Sequence, residues 1–163
     1  MITAVIFDVD GTLVDSVDLH AQAWAEAFEE FGKAIPADQI RSQIGKGSDQ
    51  LLPVFWSAEE IQKIGKPLTK RRKEIFARKY LPKVQGFAGV RPLFQRILAD
   101  HKKIALASSA VGEELAAYKE CVHISDLLDA ETSSDDADES KPHPDIFEAA
   151  SAAWAIPHPR RRS

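Results

Sequence analysis

The sequence predicts an α/β fold in which helices cover a parallel sheet and a helical unit is inserted after the first strand. Three observations support this prediction. Residues 2–7 and 104–107 are apolar, β-rich stretches that end at polar residues, as buried parallel strands do. From residue 84 onward, strand and helix signals alternate. Residues 16–81, in contrast, contain only helical patterns, so the sheet-forming part is interrupted by a helical part.

The first strand and the helix that follows it have clear boundaries. Residues 2–7 deliver Asp8 at the C-terminal end of the strand. Over residues 17–31 the apolar side chains recur at steps of three and four, which is the period of an amphipathic helix. Ser16 is suited to cap the start of this helix, and Gly32 is suited to end it.

The helical part continues with three further segments. One is predicted at residues 37–44 and stops at Gly45. Another begins at Ser57, where Glu60 completes a capping-box pattern. The last is predicted at residues 67–80. Because no strand pattern interrupts these segments, they are expected to form a unit of their own.

The second half of the chain returns to alternating strands and helices. Ser108 and Ser109 follow the strand at residues 104–107, so a second set of polar residues lies at the end of a strand. An acidic loop is predicted at residues 133–139. The remaining elements are a third strand at residues 127–130 and helices at residues 92–100, 111–120 and 144–155.

Composition and charge exclude several classes of protein. The 163 residues, 44% of them hydrophobic, suit one compact domain or a core with a modest insertion. Charged residues make up 28% and the net charge is -4, which disfavours both disorder and nucleic-acid binding. No apolar run approaches the roughly 18 residues of a membrane span. Cys121 is the single cysteine and forms no intrachain disulfide, so we expect a reducing, cytoplasmic location.

The stretch DVDGT places two carboxylates one residue apart at the end of the first strand. A carboxylate can attack phosphorus and so divide the hydrolysis of a phosphate ester into two easier steps, which makes Asp8 the candidate nucleophile. Asp10 is the candidate general acid and base, and its neighbour's negative charge is expected to raise its pKa. Gly11 permits a tight turn whose amides can hold phosphate oxygens, and Thr12 adds a hydroxyl donor. A solvated Asp-Gly turn is the alternative.

Three motifs together resemble a known superfamily. DVDGTLVDS at residues 8–16, Ser108 in ALASS and Lys141 in SKPHPDIF are similar to the first three motifs of the haloacid dehalogenase superfamily. They are closest to its phosphoglycolate phosphatase and β-phosphoglucomutase-like branch. The resemblance covers almost the whole chain, and it implies a phosphate-processing enzyme.

The resemblance also implies a domain organisation. It predicts a Rossmann-like core formed by residues 1–15 and 83–163, interrupted by a helical cap at residues 16–82. Members of the superfamily continue to a fourth strand followed by an acidic pair that binds metal, whereas this sequence reads PHPRRRS after residue 156. We therefore expect the C-terminal strands to be missing through truncation or a frameshift, with weakened metal binding and activity.

The resemblance assigns roles at the carboxyl ends of the strands, where open α/β sheets bind ligands. It implies that Ser108 hydrogen-bonds the transferring phosphoryl group and that Lys141 neutralises its charge, with Ser109 beside them at the phosphate site. It also implies that the Asp8 side chain and the Asp10 backbone carbonyl bind Mg²⁺. The predicted function is a Mg²⁺-dependent phosphoric monoester hydrolase acting on a small phosphorylated metabolite. A phosphosugar mutase of the same branch and a catalytically inactive fragment are the alternatives.

Three features of the helical part stay open between function and structure. In the stretch IGKGSDQLL, Lys46 and Ser48 belong either to a loop that closes over the substrate or to an ordinary helix connection. His20 resembles a position near the cap hinge, but a lone helical histidine can also serve packing alone. The basic run at residues 70–73 either attracts a phosphate ester or is a solvated helix face. Neither the substrate nor the oligomeric state follows from the sequence.

Overall fold

A computed structural model describes residues 2–110 and 112–132 of the chain. Strands and helices alternate in it as the sequence predicts for an α/β fold, with a run of helices after the first strands. The elements in chain order are β1 (Ala4–Phe7), β2 (Val14–Asp15), α1 (Val17–Glu30), α2 (Ala37–Arg41), α3 (Ser48–Phe55), α4 (Ala58–Ile75), a π-helical turn (Phe76–Tyr80), a 3₁₀ turn (Leu81–Lys83), β3 (Gln85–Gly86), α5 (Val90–Ala99), β4 (Lys103–Ala107), α6 (Gly112–Cys121) and β5 (Ala130–Thr132).

The central sheet consists of three parallel strands in the order β1, β4, β5. Phe7 of β1 pairs with Leu106 of β4, and Ala107 of β4 pairs with Thr132 of β5. β4 lies in the middle, and its residues from Ile104 onward are fully buried. Because the strands are parallel, their carboxyl ends meet at one edge of the sheet. The parallel sheet of the predicted fold is thereby confirmed.

A tight turn follows β1 and leads into a second, two-stranded sheet. The carbonyl of Val9 accepts hydrogen bonds from the amides of Thr12, Leu13 and Val14, at 3.1, 2.8 and 3.3 Å. β2 then pairs with β3 in antiparallel register, with Val14 opposite Gly86. Neither strand was predicted, because two residues are too few to show a period of two.

The predicted helical run is present, with two differences in its elements. α3 (Ser48–Phe55) lies where a loop or a connection was expected, and Gly47 precedes it as N-cap. α4 is continuous over Ala58–Ile75, so the predicted start of a helix at residue 67 is wrong. Pro67 lies inside α4, although proline removes one helical hydrogen bond. Leu68 beside it is fully buried, and tertiary packing of this kind is the main source of helix stability in proteins.

The start of α4 confirms the predicted capping box. The Glu60 amide donates to Ser57 Oγ at 3.3 Å, and the Ser57 amide donates to Glu60 Oε2 at 2.8 Å. Two amides that would otherwise lack partners are thereby satisfied. Within residues 2–110 and 112–132, no helix is both long and apolar enough to cross a membrane.

The third strand is displaced from its predicted position. It runs over Ala130–Thr132 instead of residues 127–130. The Leu127 amide donates to the Ile124 carbonyl at 2.9 Å, which forms a turn before the strand begins. Leu127 is apolar because it packs against the core from this turn, which explains the misassignment. The acidic loop at residues 133–139 and the helix at residues 144–155 lie outside the described residues.

Candidate active site

Asp8 lies directly after β1, at the edge of the sheet where the carboxyl ends of the strands meet. Its Oδ1 atom accepts a hydrogen bond from the Val9 amide at 2.8 Å, and the residue is partly buried. Topology thus places Asp8 where open α/β sheets bind their ligands.

The turn after Asp8 differs in one respect from the expected phosphate site. The Gly11 amide donates to the Val14 carbonyl at 2.9 Å, and the Thr12 amide donates to the Val9 carbonyl at 3.1 Å. Both amides are therefore used inside the turn, and they do not form the phosphate cradle that was expected of them. Gly11 has a φ of +70°, which a residue with a side chain rarely adopts. The turn itself is the feature that requires glycine here.

Asp10 is held by side chains at the start of α1. Ser16 Oγ donates to Asp10 Oδ1 across 2.6 Å, and His20 Nε2 lies 3.0 Å from the same oxygen. Ser16 is the N-cap residue of α1, as expected, but its side chain accepts no amide of the helix. The physical reason is that a hydrogen bond to an ionised carboxylate is stronger than one to a neutral amide.

The pKa of Asp10 lies below its ordinary value. Burial raises this pKa, but the hydrogen bond and charge of His20, with hydrogen bonds from Ser16 and Tyr118, lower it by more. The expectation that the charge of Asp8 would raise the pKa of Asp10 is therefore wrong. In this arrangement Asp10 is an ionised acceptor, held by donors on α1 and α6.

α6 contributes a second acid and a phenol to the same cluster. Tyr118 Oη donates to Glu114 Oε1 at 2.9 Å and lies 3.1 Å from His20 Nε2. Glu114 Oε1 is 3.4 Å from that nitrogen, and the ring of Phe76 stacks on the imidazole at a centroid distance of 3.9 Å. Burial raises the pKa of Tyr118, and the charges of Asp10 and Glu114 raise it further, so the phenol remains a donor.

Glu114 and Tyr118 were not among the predicted site residues. They lie four residues apart on α6, so they share one face of that helix. From the sequence, this spacing indicates only that Glu114 and Tyr118 lie on the same face of a helix. It does not show that the face meets Asp10, because Tyr118 lies 98 residues from His20 in the chain.

The two serines after β4 differ in their surroundings. Ser108 is fully buried, its Oγ accepts from the Ala110 amide at 3.1 Å, and its amide donates to the Thr132 carbonyl at 3.2 Å. A hydroxyl that accepts one hydrogen bond can still donate another. Ser109 is exposed beside it. Both serines follow β4, the strand that pairs with β1, and so lie at the same sheet edge as Asp8.

The predicted cap residues lie on the connection between α2 and α3. Lys46 is exposed and donates from Nζ to Gln43 Oε1 at 2.6 Å. Ser48 is the first residue of α3. Their contacts in the described part of the chain do not join them to the strand-end residues. Lys141, expected to neutralise phosphate, lies outside the described residues.

The oxygens at the end of β1 fit a magnesium ion. The Val9 and Val14 carbonyls accept the backbone hydrogen bonds of the turn. The Asp10 carbonyl accepts none of these bonds. Asp10 Oδ1 is engaged by two side-chain donors, so the carbonyl is the better placed ligand of this residue. Together with the Asp8 carboxylate it offers the hard oxygen donors that Mg²⁺ prefers.

A second group of possible metal ligands lies beside the first. One atom each from Asp10, His20 and Glu114 falls within 4.8 Å of the others. This group fits magnesium less well, because imidazole nitrogen suits transition metals better than Mg²⁺. Its atoms also satisfy one another, since His20 Nε2 lies within hydrogen-bonding distance of Asp10. We therefore interpret it as a hydrogen-bonded cluster.

A parallel sheet with paired carboxylates after its first strand defines an α/β protein with an acidic site at the carboxyl edge. The sequence model of haloacid dehalogenase-like hydrolases matches residues 5–158. The chain belongs to this family of enzymes, which confirms the resemblance seen in DVDGT, ALASS and SKPHPDIF.

Named relatives agree with this placement. The chain is 32% identical over 160 residues to the protein SUPPRESSOR OF QUENCHING 1, chloroplastic, of Arabidopsis thaliana, covering 96% of this chain and 15% of that protein. It is 28% identical over 144 residues to the phosphorylated carbohydrates phosphatase of Thermotoga maritima, covering 88% of this chain and 67% of that enzyme. The chain thus spans about two thirds of the Thermotoga enzyme and a small part of the Arabidopsis protein.

A solved structure supports the fold. The crystal structure of a hydrolase from Pseudomonas syringae superposes with a TM-score of 0.77 at 22% sequence identity. The match covers 96% of this chain and 72% of that one. It shows that the two chains share the haloacid dehalogenase-like fold.

Proposed function

We propose that this chain carries the reaction site of a Mg²⁺-dependent phosphoric monoester hydrolase that acts on a small phosphorylated metabolite. One observation carries the proposal. Asp8 lies at the carboxyl end of β1, and Asp10, two residues further, is fixed by Ser16 and His20. The name of the Thermotoga relative, a phosphatase of phosphorylated carbohydrates, supports the substrate class.

Asp8 acts first, as the nucleophile. Its carboxylate oxygen attacks phosphorus, the bond between phosphorus and the alcohol oxygen breaks, and that oxygen keeps the electron pair. The product on the protein is an aspartyl-phosphate. Ser108 can donate to a phosphoryl oxygen during this step, and Lys141 is assigned to the same phosphate by its motif.

Asp10 handles the protons of both steps. Asp10 first takes up a proton from solvent and delivers it to the departing alcohol oxygen. The carboxylate that results, held by Ser16 and His20, then takes a proton from the water that attacks the aspartyl-phosphate. This second attack releases inorganic phosphate and restores Asp8. Ser16 and His20 keep the Asp10 carboxylate in one place, and such positioning matters because small displacements lower rates steeply.

Asp8 and the Asp10 carbonyl are the proposed ligands of Mg²⁺. When bound, this ion would reduce the repulsion between an anionic phosphate and the Asp8 carboxylate.

Residues 16–82 are proposed as a cap that covers this site. They contain α1 to α4 and the turns that follow. The chain leaves the sheet part at β2 and returns at β3, and these strands pair with each other, so the two ends of the segment are adjacent. Lys46 and Ser48 are the proposed substrate contacts of the cap. The single cysteine supports a cytoplasmic location.

The test is phosphate release from a panel of small phosphate esters, with Mg²⁺ and with EDTA. We expect release only with Mg²⁺. Asp8→Asn should lower it by on the order of a thousandfold or more, because the nucleophile is lost. Asp38→Asn, an exposed acid on α2, is the matched control and should keep full activity.

A covalent intermediate gives the second readout. Acid quenching with a ³²P-labelled ester should leave label on the wild-type protein and none on Asp8→Asn. Hydrolysis that survives the Asp8→Asn change would rule out the aspartyl-phosphate mechanism.

A further inference from the structure

Three side-chain oxygens surround the Nε2 atom of His20. It lies 3.0 Å from Asp10 Oδ1 and 3.1 Å from Tyr118 Oη. Glu114 Oε1 lies 3.4 Å from the same nitrogen. Tyr118 has one hydroxyl hydrogen and donates it to Glu114 Oε1 at 2.9 Å, so its oxygen is an acceptor toward His20. Because all three neighbours of Nε2 accept, the hydrogen-bond network assigns a hydrogen to this nitrogen.

The imidazole ring of His20 is also fixed in its plane. The ring of Phe76 stacks on it at a centroid distance of 3.9 Å and an interplanar angle of 8°. Both residues are buried, as are Glu114 and Tyr118 on α6. Packing therefore determines where the ring lies, and the surrounding hydrogen bonds determine which acceptor the N–H group serves.

Glu114 and Asp10 are alternative acceptors for this N–H group. One atom of each carboxylate and the His20 nitrogen lie within 4.8 Å of one another. The Tyr118 hydroxyl donates to Glu114 at 2.9 Å, a shorter contact than the 3.4 Å between Glu114 and His20. Since Glu114 is already supplied with a hydrogen, the N–H group of His20 is left to Asp10 at 3.0 Å.

Arg72 of α4 adds a positive charge near the two acids. Its Nε atom is buried. Burial lowers the pKa of Arg72, and the charges of Glu114 and Asp10 act against this lowering. A cation near both carboxylates reduces the repulsion between them. In the basic run at residues 70–73, Arg72 therefore belongs to this cluster, whereas Arg71 donates from Nε to Glu30 at 2.6 Å near the surface.

We propose that Glu114 and Tyr118 are positioning residues for the proton transfer that Asp10 carries out. The inference rests on the proposed function, in which Asp10 protonates the departing alcohol oxygen. Tyr118 supplies Glu114 with a hydrogen, His20 directs its N–H group to Asp10, and the Asp10 side chain is held in the orientation that the transfer requires. His20 lies on α1 and the other two residues lie on α6, so the positioning depends on contact between these helices.

Two esters of similar size separate the positioning of Asp10 from general damage to the protein. Benzyl phosphate releases an alcohol, whose oxygen must be protonated as it departs, whereas 4-nitrophenyl phosphate releases a phenolate that departs without a proton. kcat/KM covers only the steps up to this release, so the later attack of water does not contribute. Tyr118→Phe should lower kcat/KM for benzyl phosphate by about tenfold or more, part of the roughly hundredfold contribution of a general acid. For 4-nitrophenyl phosphate it should fall by less than about threefold.

The other tyrosine of the chain provides a matched control. Tyr80 is buried and donates to a carboxylate, that of Glu26, as Tyr118 donates to Glu114. Tyr80→Phe therefore loses the same kind of hydrogen bond and should keep the wild-type ratio of kcat/KM between the two esters. An equal fall on both esters in Tyr118→Phe would show a structural role and overturn the proposal. An unchanged kcat/KM for benzyl phosphate would overturn it as well.

Variants of Glu114 test the acceptor of the Tyr118 hydroxyl. Glu114→Leu removes this acceptor and should reproduce the selective loss on benzyl phosphate. Glu114→Gln keeps a side-chain oxygen that accepts from Tyr118 and should restore most of the activity. Glu113→Gln, at the exposed neighbouring position, is the control and should behave as the wild type. If Glu114→Gln loses as much as Glu114→Leu, the proposal fails, and if the leucine variant does not fold, Tyr118→Phe decides.

The hydrogen on His20 gives a readout that does not depend on hydrolysis. Ring nitrogen NMR spectra of ¹⁵N-histidine-labelled protein are recorded at one pH, and His20→Asn assigns the signals of His20. We expect a hydrogen on Nε2 in the wild type. In Glu114→Leu the Tyr118 hydroxyl is free to donate to Nε2, so part of the population should carry its hydrogen on Nδ1 instead.

This readout distinguishes failure of the inference from failure of the proposed hydrolysis. If no ester is hydrolysed but the hydrogen moves to Nδ1 in Glu114→Leu, the hydrolase proposal fails and the positioning of His20 by Glu114 and Tyr118 stands. A wild-type Nε2 without a hydrogen, or an Nε2 signal unchanged in Glu114→Leu, overturns the positioning.

Discussion

The hydroxyl of Ser16 and the carboxylate of Asp10 lie 2.6 Å apart, although a turn and a short strand separate them in the chain. The turn closes because the Val9 carbonyl accepts hydrogen bonds from three amides and because Gly11 adopts a φ of +70°. The bond joins the residue before α1 to the residue that the proposed mechanism uses for proton transfer. Movement of α1 is thereby linked to the position of Asp10.

Removing this hydroxyl should lower the proposed activity. Ser16→Ala leaves Asp10 with one donor fewer, and a hydrogen bond to a charged group contributes about 1.5–3 kcal/mol, so kcat/KM should fall about tenfold or more. Ser16→Thr keeps the hydroxyl and should restore most of the activity. Ser42→Ala removes an exposed hydroxyl that donates to the Gln39 carbonyl and should have no effect on phosphate release. An unchanged kcat/KM in Ser16→Ala would contradict the linkage.

The longer elements of the fold could be predicted because their patterns are local. β1 and β4 are apolar runs, and α1 repeats its apolar residues with a helical period. α3 could not be predicted, because Gly47 and Pro53 suggest a loop. Leu51 and Leu52 are nevertheless buried, and this tertiary packing outweighs the local signals. The miss arises from contacts that are distant in sequence.

A surface ion pair should give the stability a measurable dependence on pH. Arg91 donates from Nη1 and Nη2 to the two oxygens of Asp126 at 2.7 and 2.8 Å. These hydrogen bonds lower the pKa of Asp126 from its ordinary value of 3.8 to about 2. The unfolded state therefore binds this proton more readily than the folded state. The stabilisation is present above the unfolded-state pKa of 3.8 and is lost as the pH falls through about 2.

Urea unfolding at several pH values checks this expectation. The difference in free energy of unfolding between the wild type and Asp126→Asn should be constant above about pH 5 and should shrink between pH 4 and 2. Other carboxylates titrate equally in both proteins, so the difference isolates Asp126. A difference that grew on acidification would contradict the assigned direction of the pKa shift.

The site could be predicted as far as topology determines it. Asp8 and Ser108 follow adjacent parallel strands, so their shared edge follows from the strand pattern. The state of Asp10 does not follow, because its pKa depends on His20 and Tyr118. From sequence alone, only the neighbouring charge of Asp8 was visible. The hydrogen bonds that lower this pKa come from His20 on α1 and Tyr118 on α6, which only the fold brings together.

His101 marks a position at which glycine should stabilise the chain. It follows α5 with a φ of +56°, and the Lys102 amide behind it donates to the Ile97 carbonyl at 3.2 Å, as in a glycine-terminated helix. A residue with a side chain is strained in this region. His101→Gly should raise the free energy of unfolding by about 0.5–1 kcal/mol. Lys102→Gly is the control, since its φ is not positive, and it should stabilise nothing.

We expect the substitution Gly86→Ala to disturb the candidate active site, although Gly86 does not belong to it. It lies on β3 opposite Val14, and the Val14 carbonyl accepts the Gly11 amide at 2.9 Å within the turn beside Asp10. A Cβ atom on Gly86 would lie 2.3 Å from Cγ1 of Val122, a buried residue with little freedom to move. Gly86→Ala should therefore push β3 away and displace β2 with it.

The expected loss in the free energy of unfolding for Gly86→Ala is about 1–3 kcal/mol, the usual effect of overpacking, and kcat/KM should fall as well. Gly112→Ala is the matched control, because a Cβ atom there meets nothing within 4 Å. Gly112 lies at the start of α6, so the stability of the Gly112→Ala variant should be unchanged or slightly higher.

A double variant tests the cause of the loss. Adding Val122→Ala to Gly86→Ala removes the clash, so the double variant should lose less stability than the sum of the losses in the two single variants. Strict additivity in urea unfolding would show that the contact with Val122 is not the cause.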